Sequence, residues 1–245
     1  MKILVCIKQV PESEAAISPD EKTGWVRQEG HQSYRMNNPD LFAVEEAVMI
    51  KEALPDTVVD ALTVGPERAF QVLERAMGMG ADRGVHILAP EEAYLSPLTI
   101  ANWIAAHALD KDYDLILAGV MAEDDMQGQV GPLAAELLSL PCATSVIFKE
   151  ILPEKGTVFV EREIEGGQRD MLELDLPALL TIQTGINMPR YPSLSNLLRA
   201  KKQKALVIHP DRLPEPEDRE KILRARYPLK SRAGKVLQGD PKEKA

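Results

Sequence analysis

The segment richest in groups that could do chemistry is a polar loop from Gly119 to Gly131, which reads GVMAEDDMQGQVG. An apolar stretch before it, Tyr113 to Leu117, predicts a strand, and an apolar pattern after it, Leu133 to Leu140, predicts a helix. Such a loop offers backbone N–H groups to a phosphate, and the N-terminus of the helix adds a favourable dipole. Its glycines match neither the Walker spacing nor the dinucleotide fingerprint. The pattern therefore leaves two interpretations open, a phosphate-binding loop and a strand-to-helix turn that binds nothing.

Asp124 and Asp125 are the residues of this loop that could act as an acid–base pair or as metal ligands. Turn formation and hydrogen bonding to a ribose explain the same two carboxylates equally well. The four histidines of the chain lie in unrelated contexts, and none is near a Ser or Cys in a pattern for nucleophilic catalysis. We therefore predict no catalytic residue and no metal site.

Composition excludes several classes of protein. A formal net charge of −9 argues against binding to nucleic acid or to an anionic membrane, because both need clustered Lys and Arg. The two cysteines, Cys6 and Cys142, form no disulfide framework, which favours a reducing compartment. The apolar start, Met1 to Ile7, is too short for a signal segment or a membrane span, so we expect no membrane insertion.

Strand and helix patterns alternate through the first half of the chain. A polar excursion or small hairpin from Glu12 to Gly30 follows the first predicted strand. The first predicted strand is Ile3–Val10, and further strands are predicted at Thr57–Val64 and Gly84–Leu88. Helices are predicted at Leu41–Leu54, Glu67–Met77 and Pro97–Leu109. Alternation with short connections predicts an α/β fold with a doubly wound, mostly parallel sheet. Because such sheets bind ligands at the carboxyl ends of their strands, Ile7–Gln9, Val64–Pro66 and the 119–131 loop should share one edge.

The second half has a different pattern. After Cys142, short apolar runs alternate without long helices between them, and Glu165–Gln168 is a hairpin signal, so we predict an added antiparallel or mixed segment. Asn187–Lys204 contains two prolines and then a basic helix pattern from residue 197. It is either a partner-docking surface or a solvated positive face. We assign residues 1–210 to one α/β nucleotide-binding domain that includes this loop. Residues 211–245 form a C-terminal arm, which either packs on a partner subunit or is partly disordered.

Several separated motifs together resemble one known family, the beta subunit of electron-transfer flavoprotein. They follow the family's order and cover the chain up to about Pro210. The motifs are Cys6–Pro11, Asn37–Asp40 leading into Ala43–Ala47, Met77–Gly84, Gly119–Gly131, Val160–Gly167, Leu176–Ala178 and Asn187–Lys204. The resemblance implies an adenine-nucleotide alpha-hydrolase-like fold and a heterodimer with an alpha subunit that holds the redox FAD.

The resemblance also implies an AMP molecule in the cleft at the carboxyl edge of the sheet, with its phosphate near Gly128, Gln129 and Val130. The implied cofactor-binding residues are Cys6, Asn37, Asn38, Pro39, Asp40, Val64, Gly119, Val120, Met121, Ala122, Glu123, Asp124, Asp125, Met126, Gln127, Gly128, Gln129 and Val130.

For partners, the resemblance implies docking to flavin dehydrogenases of the acyl-CoA type and electron delivery to a quinone-linked oxidoreductase. The implied docking residues are Tyr191, Leu194, Arg199, Lys201 and Lys202, with Leu194 as the anchor that enters the dehydrogenase. Glu163 matches an acidic residue that contacts the mobile flavin domain through an arginine of the alpha subunit. Such a protein is an electron carrier of fatty acid oxidation, in the cytoplasm of a prokaryote or in the mitochondrial matrix.

Two alternatives remain. Bifurcating members of the family hold a second FAD in place of AMP and accept hydride from NADH. Gln129–Pro132 resembles their loop, whereas Asp125 and Met126 depart from it, and Ser13 stands where some members carry an aromatic residue. The other alternative is a stand-alone adenine-nucleotide enzyme or sensor. The loop has no reactive Lys or Ser, and the long docking segment argues against that class.

Overall fold

The structure is a computed structural model that describes residues 1–12, 14, 17–20, 24–28, 33–90, 94–215, 219–220 and 222–227. The chain divides into two compact units. The first comprises Met1–Ala15 and Gln32–Lys221, and the second comprises Ala16–His31 and Ile222–Ala245. Ser13 and residues 228–245 of the predicted C-terminal arm lie outside the described residues. The described helices are all too short or too polar to cross a membrane.

Regular elements occur along the whole described chain. The helices are α1 (Asn38–Ala53), α2 (Phe70–Met79), α3 (Pro97–Ala108), α4 (Val130–Leu137) and α5 (Leu194–Ala200). The strands are β1 (Lys2–Cys6), β2 (Gln9–Pro11), β3 (Ile17–Pro19), β4 (Val26–Gln28), β5 (Tyr34–Met36), β6 (Val58–Gly65), β7 (Arg83–Leu88), β8 (Leu115–Gly119), β9 (Cys142–Leu152), β10 (Thr157–Glu163), β11 (Arg169–Asp175), β12 (Ala178–Ile182) and β13 (Leu206–Ile208).

The first unit is built on one large sheet with the strand order β11-β10-β9-β12-β8-β1-β6-β7-β13. From β9 to β13 in this order every neighbouring pair is parallel. At the other end, β10 is antiparallel to both β9 and β11. The prediction of a mostly parallel α/β sheet with an antiparallel extension is therefore confirmed.

Helices cover both faces of the sheet. Ile3 and Val5 of β1 pack in one hydrophobic cluster with α1 and α2. Leu4, which points to the opposite face, belongs to a second cluster with α3 and α4. Strands buried on both faces need continuous apolar sequence, and that is why β1 could be recognised from the sequence.

Strand order reverses beside β1. The chain passes from β1 to β6 and β7 on one side, and it then returns to place β8 on the other side. The carboxyl ends of β1 and β8 are consequently neighbours, with Cys6 opposite Ala118. This is the switch point at which doubly wound sheets bind ligands.

Some boundaries differ from the predicted ones. The first strand ends at Cys6 instead of Val10, because the chain leaves the sheet after Ile7 and β2 pairs with β5 in a separate ribbon. Helix α4 begins at Val130, three residues earlier than predicted, with Pro132 in its first turn. The first turn of a helix tolerates proline because its N–H groups have no partner within the helix.

The second unit contains the β3–β4 hairpin, whose strands are antiparallel. The Asp20 N–H donates to the Trp25 carbonyl oxygen at 2.7 Å, and the Ala225 N–H donates to the Gly24 carbonyl oxygen at 2.7 Å. The hairpin confirms the predicted excursion between Glu12 and Gly30. The predicted association of the C-terminal arm with a partner subunit stays a prediction.

Candidate functional site

Asp40 joins three segments at the switch point. It lies in the first turn of α1, and its carboxylate accepts hydrogen bonds from the Lys8 N–H at 2.6 Å and the Gly119 N–H at 3.1 Å. The Asn37 side-chain amide donates a third bond at 3.0 Å. Burial raises the pKa of Asp40 to about 7, because the loss of hydration outweighs the bonds that favour the charged form. The ends of β1 and β8 and the start of α1 are thereby connected through one side chain.

Asn37 holds the start of the 119–131 loop. Its side-chain N–H groups donate to Asp40 and to the Met121 carbonyl oxygen at 2.9 Å, and its oxygen accepts from the Glu123 N–H at 3.0 Å. Asn37 precedes α1, but its side chain makes no cap hydrogen bond to that helix within the described residues. Its polar groups are engaged inside the protein, so it shapes the loop.

Lys8 binds the tip of the loop. Its ammonium lies 2.7 Å from an oxygen of Asp124 and 2.9 Å from an oxygen of Asp125. Burial lowers the pKa of Lys8, but the two carboxylates outweigh that effect and raise the pKa above its ordinary value. Arg35 adds a second ion pair, at 2.8 Å to Glu123. Neither Lys8 nor Arg35 is among the site residues predicted from the sequence. Lys8 lies within Ile7–Gln9, the stretch predicted to reach the carboxyl edge of the sheet, and within the family motif Cys6–Pro11.

The second half of the loop approaches α4 with an unusual backbone. Gly128 has φ +61°, and a Cβ at this position would lie 3.2 Å from the Val120 carbonyl oxygen. Gln127 donates from its backbone N–H to Asp125 at 3.1 Å. At the start of α4, the Gln129 side chain makes no cap hydrogen bond within the described residues. The first turn of α4 therefore lacks a side-chain cap from Gln129, at the position where the family resemblance implies a phosphate.

The remaining predicted cofactor-binding residues lie on the same edge of the sheet. Burial raises the pKa of the Cys6 thiol to about 12, so this cysteine is a neutral group at physiological pH. Val64 is at the end of β6, the strand that neighbours β1. The Asn38 N–H donates to Glu123 at 3.2 Å, and Pro39 lies so close to Gly119 that an added Cβ would come within 2.7 Å of it. The structure thus brings the ends of β1, β6 and β8, the start of α1 and the 119–131 loop together.

A second group of predicted residues forms an exposed surface on and around α5. We call it the docking surface and define it by its exposed apolar or basic side chains, which are those of Tyr191, Leu194, Leu198, Arg199, Lys201 and Lys202. Tyr191 is 89% exposed and Leu194 is 74% exposed. The helix covers 194–200 instead of the predicted 197–204, because Ser193 caps it by accepting from the Asn196 N–H.

The segment before α5 is attached to α1 by ionic contacts that the sequence analysis missed. Arg190 contacts Glu45 at 2.8 Å and Glu52 at 2.6 Å. Asn187 donates to Glu46 at 2.9 Å, and Lys149 pairs with the same carboxylate at 2.7 Å. Glu45 and Glu46, two neighbouring acids of α1, are both buried. Acids placed beside the apolar stripe of a helix could have indicated buried ion pairs.

Glu163 is the exposed last residue of β10. Its carboxylate accepts a hydrogen bond from the Gln183 side chain at 3.3 Å. Its role toward a flavin domain stays a prediction.

A doubly wound sheet with polar groups gathered at its switch point defines a class of α/β proteins that bind ligands beyond the carboxyl ends of their strands. Within that class, the family model described as electron transfer flavoprotein domain matches residues 24–212. The chain is 36% identical to electron transfer flavoprotein subunit beta of Bacillus subtilis (strain 168), over 100% of this chain and 95% of that protein.

Similarity extends to plants and mammals. The chain is 36% identical to the mitochondrial subunit beta of Oryza sativa subsp. indica, over 97% of this chain and 93% of that protein. It is 38% identical to the subunit beta of Homo sapiens, over 86% of this chain and 82% of that protein. The chain belongs to the electron transfer flavoprotein beta subunit family, and the predicted family is confirmed. Membership gives it a role in electron transfer by a flavoprotein.

Proposed function

We propose that this chain pairs with an alpha subunit and that the heterodimer carries electrons from flavin dehydrogenases of the acyl-CoA type to a quinone-linked oxidoreductase. FAD, held mainly by the alpha subunit, supplies the one- and two-electron chemistry when it is bound. This chain forms part of the heterodimer interface, with Glu163 as the contact to the flavin domain and the C-terminal arm packed on the alpha subunit. Its compartment is the cytoplasm of a prokaryote or the mitochondrial matrix.

The observation that carries the proposal is the docking surface. Two large apolar side chains, Tyr191 and Leu194, project from a segment whose other side is fixed to α1 and α2. Exposed basic residues follow at position 199, near the end of α5, and at positions 201 and 202, directly after it. An apolar anchor inside a charged rim is the usual arrangement of a protein contact that is both specific and rapid. An acidic rim on the dehydrogenase would complement it.

For the cleft we propose AMP. The uncapped first turn of α4 and the close backbone approach at Gly128 fit a phosphate, which accepts backbone hydrogen bonds there. Lys8, Asp124 and Asp125 lie at the loop tip and offer polar contacts for a ribose. Asn37 and Asp40 hold the segments that form the cleft. A second FAD in this place would make the protein a bifurcating one.

Composition of the purified heterodimer tests the proposal. We expect that this chain co-purifies one-to-one with its alpha subunit as a yellow complex. Acid release followed by chromatography should yield one FAD and one AMP per heterodimer. Two FADs would replace the AMP assignment with bifurcation. A colourless monomer that hydrolyses ATP would refute the electron carrier and support a stand-alone enzyme.

Replacement of the anchor tests the docking surface. Leu194→Ala should lower kcat/KM with a partner acyl-CoA dehydrogenase by roughly tenfold or more, because anchors of this kind contribute about 2 kcal/mol. Flavin and AMP content should stay at wild-type levels. Leu206→Ala is the matched control, since Leu206 is 53% exposed but lies on β13. Equal kinetics for the two variants would refute the docking role.

A further inference from the structure

The segment that carries the docking surface is connected to α1 through Arg190. The Arg190 guanidinium donates to both oxygens of Glu45, with Nε contacts of 3.0 and 2.9 Å. Its other nitrogens donate to Glu52 at 2.6 and 3.0 Å, and its backbone N–H donates to Glu45 at 3.0 Å. The side chain of one residue therefore bonds two positions of α1 that are about two turns apart, and its main chain bonds the first of them.

The burial of Glu45 makes this contact selective. Glu45 is only 5% exposed, and a buried carboxylate without a cation is strongly unfavourable. A planar guanidinium satisfies two carboxylates only in a narrow range of orientations, whereas an ammonium would leave the direction of the segment open. Arg190 thus fixes the position and direction of the backbone directly before Tyr191, the first residue of the docking surface.

Two further contacts restrain the same segment. Upstream, Asn187 donates to the Phe42 carbonyl oxygen at 2.9 Å and to Glu46. Downstream, Leu197 and Pro192 pack on Gly78 of α2, where an added Cβ would lie 2.9 Å from Leu197. Leu194 stands between the Arg190 contact and the Leu197 contact, and it is itself exposed.

We propose that Arg190 is a positioning residue for docking, which presents Leu194 to the partner dehydrogenase by fixing the entrance of the docking surface to Glu45 and Glu52. The inference rests on the proposed docking function. A segment that is ordered before association loses less conformational entropy when the partner binds. Arg190 itself is engaged by α1, so its effect on docking passes through Leu194.

A double-mutant cycle in the complete heterodimer tests this role, with an acyl-CoA dehydrogenase from the same organism as the electron donor. Arg190→Gln should raise KM for the heterodimer about tenfold with kcat unchanged. In the Leu194→Ala background the same change should raise KM less than twofold, because the anchor that Arg190 presents is already gone. Arg190→Lys should have an effect close to that of Arg190→Gln, since the charge alone does not fix the orientation.

A second variant serves as the control for loss of folding. Glu45→Gln with Arg190→Gln removes the buried charge together with its partner, and this double variant should keep FAD and AMP content while KM stays raised. A KM effect of Arg190→Gln that is equal in both Leu194 backgrounds, or absent in the double variant, would refute the positioning role alone. A normal KM in Leu194→Ala by itself would refute the docking surface and with it both proposals.

Discussion

Asp40 shows how a single carboxylate can connect the segments of a candidate site. It holds the backbone of Lys8 and Gly119 together, and Asn37 supports it from the preceding position. The cost of this arrangement is burial, which raises the pKa of Asp40 to about 7. At neutral pH the folded protein therefore contains a partly protonated carboxyl group at the junction of two strands and a helix.

The raised pKa predicts a pH dependence of stability. Unfolded Asp40 ionises near pH 3.9, whereas the folded protein keeps its proton up to about pH 7. Between these values the native state binds more protons, so the contribution of Asp40 to the free energy of unfolding falls by about 1.4 kcal/mol per pH unit as pH rises. Urea unfolding at pH 5 and pH 6.5 should show wild type losing stability relative to Asp40→Asn. A difference between the two proteins that is constant with pH would contradict the assignment.

Residue types near the site could be predicted, but their partners could not. Asn37 and Asp40 are predicted site residues, and the structure places them at the carboxyl edge of the sheet. Their roles depend on which backbone groups from distant parts of the chain form hydrogen bonds with them. No local sequence pattern contains that information. The pairs Lys8 with Asp124 and Arg190 with Glu45 join residues more than a hundred positions apart, so spacing could not indicate them.

At the scale of elements, α4 packs closely against β12 because Gly131 has no side chain. A Cβ at Gly131 would lie 2.7 Å from the methyl carbon of Thr181. This close approach sets the height of the first turn of α4 over the sheet. The proposed phosphate position is in the same turn, so packing and ligand binding depend on one contact.

Gly131→Ala should weaken AMP binding about tenfold, because overpacking of this size costs roughly 1–3 kcal/mol and displaces the first turn of α4. Calorimetric titration of nucleotide-stripped heterodimer with AMP measures the effect. Gly166→Ala is the control. It lies in the turn between β10 and β11, where an added Cβ meets no described atom within 4 Å, although its φ of +75° carries its own strain. Equal AMP affinity in the two variants would argue against a phosphate at α4.

The sequence predicted elements well where periodicity was strong. The buried parallel strands and α1 to α3 were recognised because long apolar patterns leave few alternatives. The start of α4 and the end of β1 were misplaced, because tertiary contacts of Gly131 and Lys8 decide them. The separate β2–β5 ribbon could not be anticipated, since it pairs short segments that have no pattern of their own.

At the scale of the whole molecule, AMP bound at the switch point as proposed should stabilise the complete first unit, because it would contact strands and helices on both sides of β1. At a concentration one hundred times its dissociation constant, AMP should add about 2.7 kcal/mol to the free energy of unfolding. A domain of 150–250 residues would then melt about 5–10 °C higher, and the larger heterodimer should show a smaller rise in melting temperature.

Adenosine at the same concentration should give a much smaller shift, because it lacks the phosphate that α4 would bind. Differential scanning fluorimetry of nucleotide-stripped heterodimer measures both shifts, and GMP controls for recognition of the base. Equal shifts with AMP and adenosine would show that the phosphate contributes nothing to binding.

The position of β12 constrains the order of folding. It lies between β8 and β9, although both of those strands precede it in the chain. The antiparallel strands from residue 142 to 175 can pair with one another as they are synthesised, but they can join the parallel strands only after residues 178–182 have inserted between the two groups. A nascent chain that stops before Ala178 therefore contains two groups of strands that are not hydrogen-bonded to each other. Each group has an open edge that can pair with another chain.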